Sequence, residues 1–124
     1  MINKQDYLNA VNQNIEMVRG DTLIFNFSLR GLGSSAVYEA LTIEFNAAYN
    51  IGDAPSIVAS NDDDGVTLDE YDSATDTATY TVCIAPEKTK DLDLSRFYYN
   101  LQAKDDENTI TLMRGRLTLL YEID

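Results

Sequence analysis

The chain has no histidine, no tryptophan and one cysteine, and only nine basic residues against 21 acidic ones. Each shortage excludes something. Without histidine, the side chain that most often serves as general base near neutral pH is missing, as is the commonest zinc ligand. A single cysteine cannot close an intramolecular disulfide. Cys83 lies in Thr81-Val82-Cys83-Ile84, a strand pattern with no lysine beside it to lower a thiol pKa, so it reads as a small strand residue. The net charge of −12 sets the surface against phosphate backbones and anionic headgroups, so neither nucleic acid nor membrane is an expected partner. It fits a solubilising surface, a partner with a basic face, or an imitation of nucleic acid. Met1-Ile2-Asn3-Lys4-Gln5-Asp6 lacks the charged-then-apolar order of a signal peptide. No apolar run approaches the length of a membrane span. The expected location is a cytoplasm, or a larger assembly carried out of one.

What the chain has in quantity is alternation. Leu23, Phe25, Phe27 and Leu29 are spaced two apart, and the pattern recurs in Leu41-Ile43-Phe45-Ala47. It returns in Ala78-Tyr80-Val82-Ile84, Phe97-Tyr99-Leu101-Ala103 and Leu117-Leu119-Tyr121-Ile123. Side chains two apart on a strand share a face, so each run offers one apolar face to a core. The pattern predicts an all-β, immunoglobulin-like antiparallel sandwich of 7–9 strands. At 124 residues the chain has the size of one domain and buries enough surface to fold without a disulfide or metal. The expected core is Leu23, Phe25, Phe27, Ile43, Phe45, Tyr80, Val82, Tyr99, Leu101, Leu117 and Leu119. On that basis Phe25→Ala costs roughly 3–5 kcal/mol.

Residues 1–13 read as a polar arm, rich in Asn and Gln, and residues 14–124 as the single sandwich domain. Tyr7, Leu8 and Val11 are the arm's candidate anchors in a partner's groove. Strands are expected at Ile15–Val18, Thr22–Arg30, Tyr38–Ala47, Ile57–Ser60, Thr77–Ala85 and Arg96–Lys104, with a short extended piece at Val66–Leu68. Tyr71–Thr75 reads as a turn. Pro86–Leu92 reads as a short helical turn, since proline suits a first helical position. Gly115 interrupts Thr109–Ile123, which suggests a bulge, a bend or two strands.

Three motifs invite chemistry. Arg19-Gly20-Asp21 resembles an adhesion tripeptide, but a tight turn between strands explains it as well. Asn61-Asp62-Asp63-Asp64-Gly65 resembles a calcium loop. With Gly65 at position 6, Ser60, Asp62 and Asp64 take ligand positions, but position 12 is Tyr71 and Glu70 falls one residue early. No metal site is expected, and Asp62 and Asp64 are the weak candidates. The carboxylate pairs Asp62/Asp64 and Asp105/Glu107 lie on hairpin tips, where burial tunes a pKa little. With no nucleophile motif and no phosphate-binding glycine loop, neither catalysis nor a cofactor is expected.

Five segments, in order, resemble a known family. Val18-Arg19-Gly20-Asp21-Thr22-Leu23-Ile24-Phe25 is similar to the strand entry of small bacteriophage sandwich domains. Gly65-Val66-Thr67-Leu68, Ile84-Ala85-Pro86-Glu87-Lys88-Thr89, Phe97-Tyr98-Tyr99-Asn100-Leu101-Gln102 and Thr111-Leu112-Met113-Arg114-Gly115-Arg116-Leu117-Thr118 match its later strands. The family is that of the N-terminal domain of phage baseplate upper proteins and related immunoglobulin-like tail modules. The resemblance covers about residues 15–124. It departs at Ser95-Arg96, where the family often has glycine.

The resemblance implies a structural virion protein of a tailed phage, made in the host bacterial cytoplasm and used as a tail or baseplate assembly or adaptor module. Its partners would be other virion proteins or further copies of itself, with Tyr98 available for contact. The alternatives are a capsid decoration protein and an acidic DNA mimic that inhibits a host nucleic-acid-binding protein. The acids cluster at 61–64, 69–76 and 105–107 rather than in phosphate-like rows, which favours the structural reading. Calorimetric titration with calcium is expected to show no binding tighter than about 10 µM, the weak end of the sensor range. Tighter binding would make Asp62 and Asp64 ligands.

Overall fold

The computed structural model describes residues 11–122. These residues form nine strands in two sheets, an immunoglobulin-like sandwich. In the smaller sheet, β3 (Leu23–Arg30) lies antiparallel to β7 (Thr77–Ile84), with Leu23 opposite Ile84 and Arg30 opposite Thr77. β6 (Val66–Asp72) covers the other edge of β7, with a register shift between Leu68 and Glu70. In the larger sheet, β8 (Arg96–Lys104) is central. It pairs with β4 (Thr42–Ala48) and with β9 (Thr109–Leu120), and β5 (Ile57–Ser60) flanks β4. β1 (Val11–Asn12) and β2 (Ile15–Val18) run parallel to β9, so the sandwich is not wholly antiparallel. The order β3-β7-β6 against β9-β8-β4 reproduces the B-E-D and G-F-C sheets of immunoglobulin domains, with β5 as an added strand.

Alternation sets the core. Ile43, Phe45, Tyr80, Val82, Tyr99, Leu101, Leu117 and Leu119 are all buried, as their spacing predicts. Leu23, Phe25 and Phe27 face the same core but are half-buried, because β3 is a sheet edge with a neighbour on one side. The sheets are joined by aromatic contacts. Phe25 meets Phe45 edge-on at 6.1 Å between ring centroids, and Phe45 stacks on Tyr99 at 5.2 Å. Antibody domains join the equivalent strands with a disulfide packed on tryptophan. Here three rings do that work, so a chain without tryptophan or a disulfide still has a centre.

The start of the expected strand Tyr38–Ala47 is instead helical. Ser35–Ala40 forms α1, and β4 begins at Thr42. The reason lies in Tyr38, which is 1% exposed. Its hydroxyl accepts from Leu32 N (3.0 Å) and donates to Asp76 O (2.9 Å), and its carbonyl accepts from the Tyr80 hydroxyl (3.2 Å). A helical turn is what brings the ring over the end of the sandwich. Tyr71 belongs to β6 rather than to a turn, and its hydroxyl donates to Asp76 Oδ1 at 2.9 Å. Gly33 N donates to Asp76 Oδ2 and Gly31 N to Asp76 O. Asp76 sits at φ 50° to make these contacts. One aspartate thus ties the β3–α1 loop, α1 and β6 to the β6–β7 turn.

At the opposite end, Arg19 donates to Leu92 O (2.9 Å) and pairs with Glu122 (2.6 Å), and Gly20 N donates to Thr89 Oγ1. The helical turn there shortens to a 3₁₀ turn at Pro86–Lys88. Gly115 does not break β9, which continues to Leu120. The bulge lies nearby, where the β8–β9 register shifts between Leu101 and Gln102 and Leu112 is the extra residue. Gly115 is required for a different reason: a Cβ there would sit 2.8 Å from the carbonyl carbon of Gln13. Val11 and Asn12 accordingly belong to the sheet, and Gln13 N donates to Arg114 O beside them.

Two outcomes follow from these contacts. In urea melts, Phe45→Ala is expected to cost roughly 3–5 kcal/mol and the half-buried Phe25→Ala about 1–3; equal losses would contradict the edge position of β3. Burial pushes the Asp76 carboxyl up, but bonds from Gly33 N, the Tyr71 and Tyr38 hydroxyls and Gly31 N outweigh it and hold the pKa below its ordinary 3.8. A lowered folded pKa contributes stability above the unfolded value, which is lost as pH falls through the folded one. Asp76→Asn is therefore expected to be less stable than the wild type at neutral pH, with the gap closing below about pH 4. A gap independent of pH would show that the charge is not what matters.

Candidate functional site

The outer face of the larger sheet is where the strand pattern places polar side chains that do not cover a core. On β8, Phe97, Tyr99 and Leu101 point inward, so Arg96, Tyr98, Asn100, Gln102 and Lys104 point outward. On β9, Arg114, Arg116 and Thr118 lie opposite Asn100, Tyr98 and Arg96. The loop Asn50–Pro55 rises beside β4 and walls this face on one side. It is closed by Asp53 N donating to Asn50 O (3.1 Å) and Ser56 N to Ala47 O (2.7 Å). Together they enclose a groove of about 980 Å³, with Ile51 81% exposed in the wall loop.

The groove has a distinct chemistry. The Arg116 guanidinium lies 4.0 Å above the centre of the Tyr98 ring and donates to its hydroxyl at 2.8 Å. Arg114 Nε donates to Asn12 Oδ1 at 3.0 Å, and Arg116 N to Asn14 Oδ1 at 3.1 Å. Asn100 Oδ1 is buried on the groove floor with no hydrogen-bond partner among the described residues, an acceptor that a bound donor would satisfy. Arg96, Lys104, Arg114 and Arg116 all lie on this face, four of the chain's nine cations. Glu44 is paired with Lys104 at 3.2 Å, and Glu16 is the other acid on the strands of this face among the described residues. The opposite face of the molecule differs. Outward from β3, β7 and β6 stand Asn26, Ser28, Thr79, Thr81, Asp69 and Asp72, linked in part by bonds from Thr81 to Asn26 and Asp69.

The residues singled out in the sequence fall in three places. Tyr98 lies in the groove. Val11 is in β1, in register with Met113, and Tyr7 and Leu8 lie outside the described residues. Asp62 and Asp64 flank the side chain that shapes their turn. It is Asp63 whose Oδ1 accepts from Ser60 N and Gly65 N, both at 2.9 Å, while Lys88 Nζ lies 3.6 Å from its Oδ2. Burial raises the Asp63 pKa, but these donors outweigh it and leave it lowered. Asp64 turns the chain at φ 65°. Among the described residues no three His, Cys, Asp or Glu side chains converge as a metal would require. Asp105 likewise caps its own hairpin, accepting from Glu107 N and Asn108 N. In Arg19-Gly20-Asp21, the arginine is taken up by Leu92 and Glu122, and Gly20 makes the turn at φ 84°. Cys83 faces outward from β7 and is half-buried.

Sequence reasoning missed Arg114, Arg116 and Asn100. A signal was present: Arg114-Gly115-Arg116 places two cations on one face of a strand in a chain that has few. No protein family model matches the chain, and no curated protein matches it.

Proposed function

We propose that the protein is a non-enzymatic assembly module of a tailed-phage particle, docking another particle protein on the outer face of its larger sheet. The observation that carries the docking reading is the groove around Tyr98. It gathers cations on a chain of charge −12, presents an aromatic ring braced by Arg116, and leaves a buried acceptor open. Aromatic and arginine side chains are the usual anchors of protein interfaces. The fitting partner is a protein surface that presents carboxylates to Arg114 and Arg116 and an N–H to Asn100. The particle assignment rests on the collinear resemblance to phage tail and baseplate modules. Further support comes from Asp63, Asp76 and Asp105, whose carboxylates are taken up in turns and clasps rather than aligned for acid–base chemistry. The nucleic-acid mimic fits less well, because a mimic gains nothing from cations collected on its largest face.

Mass spectrometry of purified particles from the phage that encodes the chain is expected to find it in stoichiometric amounts. Arg114→Glu combined with Arg116→Glu is expected to leave the melting temperature within a few degrees and to remove the protein from particles, since rim-exposed charges set association more than folding. Absence of the wild type from particles would sink the assignment. Unchanged incorporation of the double variant would move the docking surface elsewhere.

A further inference from the structure

The groove face and the outer face of the smaller sheet are complementary, rung by rung. On the larger sheet, the β8–β9 ladder sets Arg114 beside Asn100 and Arg116 beside Tyr98. On the smaller sheet, the β6–β7 ladder sets Glu70 beside Thr79 and Asp72 beside Thr77. Each face thus has two rungs, with charge on one strand and neutral polar groups on the next. In both, the charges are two residues apart, about 7 Å along an extended strand. Glu70, Asp72 and Arg114 are exposed. β3 extends the acidic rungs with Ser28 beside Thr79 and Arg30 beside Thr77. β4 extends the cationic rungs with Asn46 beside Asn100 and Ala48 beside Tyr98, next to the wall loop that carries Asp53.

We infer that the groove's partner is a second copy of this chain, which enters it with the outer face of its smaller sheet. The inference rests on the docking reading above and names the occupant. β3 and β9 share one side of the sandwich. A copy stacked without rotation therefore lays its β3 over β9 and its acidic β6 over β4, where Glu44 stands. A half turn about the sheet normal reverses this and lays β6 over β9 and β7 over β8. Glu70 of the second copy then meets Arg114, and its Asp72 meets Arg116. Its Arg30 comes to the wall loop and Asp53, so the charges are of opposite sign there too. Thr79 of the second copy falls over Asn100. Ser28 Oγ and Thr79 Oγ1 share one hydrogen bond at 3.5 Å, in which either is able to donate, so one hydroxyl proton is left for an outside acceptor. Asn100 Oδ1 is that acceptor, served by a hydroxyl as it would be by an N–H. The net charge of −12 opposes approach at long range, but moderate salt confines that repulsion to about 10 Å, while the paired groups meet at contact. The contact joins two different faces, so each copy keeps one face of each kind open and the stack continues.

Two-faced stacking makes a mixing experiment decisive. By sedimentation at about 1 mM, where even a weak contact is populated, the full chain is expected to associate in a concentration-dependent way. Arg114→Gln with Arg116→Gln leaves only the acidic face competent, and Glu70→Gln with Asp72→Asn leaves only the cationic one. Each double variant alone is expected to lose association. Mixed in equal amounts, with one of them isotopically labelled, they are expected to give a one-to-one heterodimer and nothing larger by native mass spectrometry. A wild type that stays monomeric, variants that associate as the wild type does, or a mixture without heterodimer would each overturn the inference. An NMR dilution series of the unmodified chain needs no variant to fold. Its concentration-dependent shifts are expected on β8 and β9 and on β6 and β7; shifts on only one of these faces, or none, would also overturn it. Particle incorporation is not read in any of these arms, so their failure leaves docking on a different particle protein standing.

Discussion

The close passage of Gln13 over Gly115 organises the first edge of the larger sheet. With no side chain at Gly115, the link between β1 and β2 lies against β9, and Gln13 N donates to Arg114 O. The Tyr99 hydroxyl reaches through from the core to the Gln13 carbonyl. Burial raises the Tyr99 pKa, so the phenol keeps its proton and remains the donor. A surface connection is thus held by a core ring that also stacks on Phe45. Any side chain at position 115 would push the link outward, part Tyr99 from its acceptor and unseat β1. The contact also places Asn12 and Asn14 where they bond Arg114 and Arg116, so the groove inherits its shape from the same point.

The two outer faces of the sandwich have opposite characters because strand alternation sorts them separately. Inward positions are fixed by the core, but outward ones are free to vary. On β8 and β9 they collect arginine, lysine, asparagine and tyrosine. On β6 and β7 they collect threonine and carboxylates. Net charge therefore describes this molecule poorly. At contact distance a partner meets a local surface rather than the total, since charges beyond about 10 Å are largely screened at moderate salt.

The fold was legible because period-two alternation survives in nearly every strand, and β8 falls at Arg96–Lys104 as its pattern predicts. Tyr38 was misplaced because Leu41-Ile43-Phe45 reads backwards into it without a break. The helix is imposed by distant partners, Asp76 and Tyr80, that local pattern cannot see. Gly115 was recognised as special, but its reason is a neighbour about a hundred residues away. Of the candidate site, Tyr98 was legible as the outward member of a tyrosine pair. Arg114 and Arg116 needed the sheet order, because they form a cluster with Tyr98 and Asn100 only once β8 and β9 are paired. The acidic turn drew attention through its density of carboxylates, yet its central member serves the backbone.

The parallel pairing of β2 with β9 has a mechanical consequence. Tension applied between the chain before Val11 and the chain after Glu122 pulls these two strands along their axes in opposite directions. The ladder from Ile15–Leu117 to Val18–Leu120 is then sheared as a unit rather than opened one rung at a time. Arg19, paired with Glu122 just beyond that ladder, adds an ionic contact to the same load path. A module built this way resists being drawn out lengthwise far better than being peeled from the side.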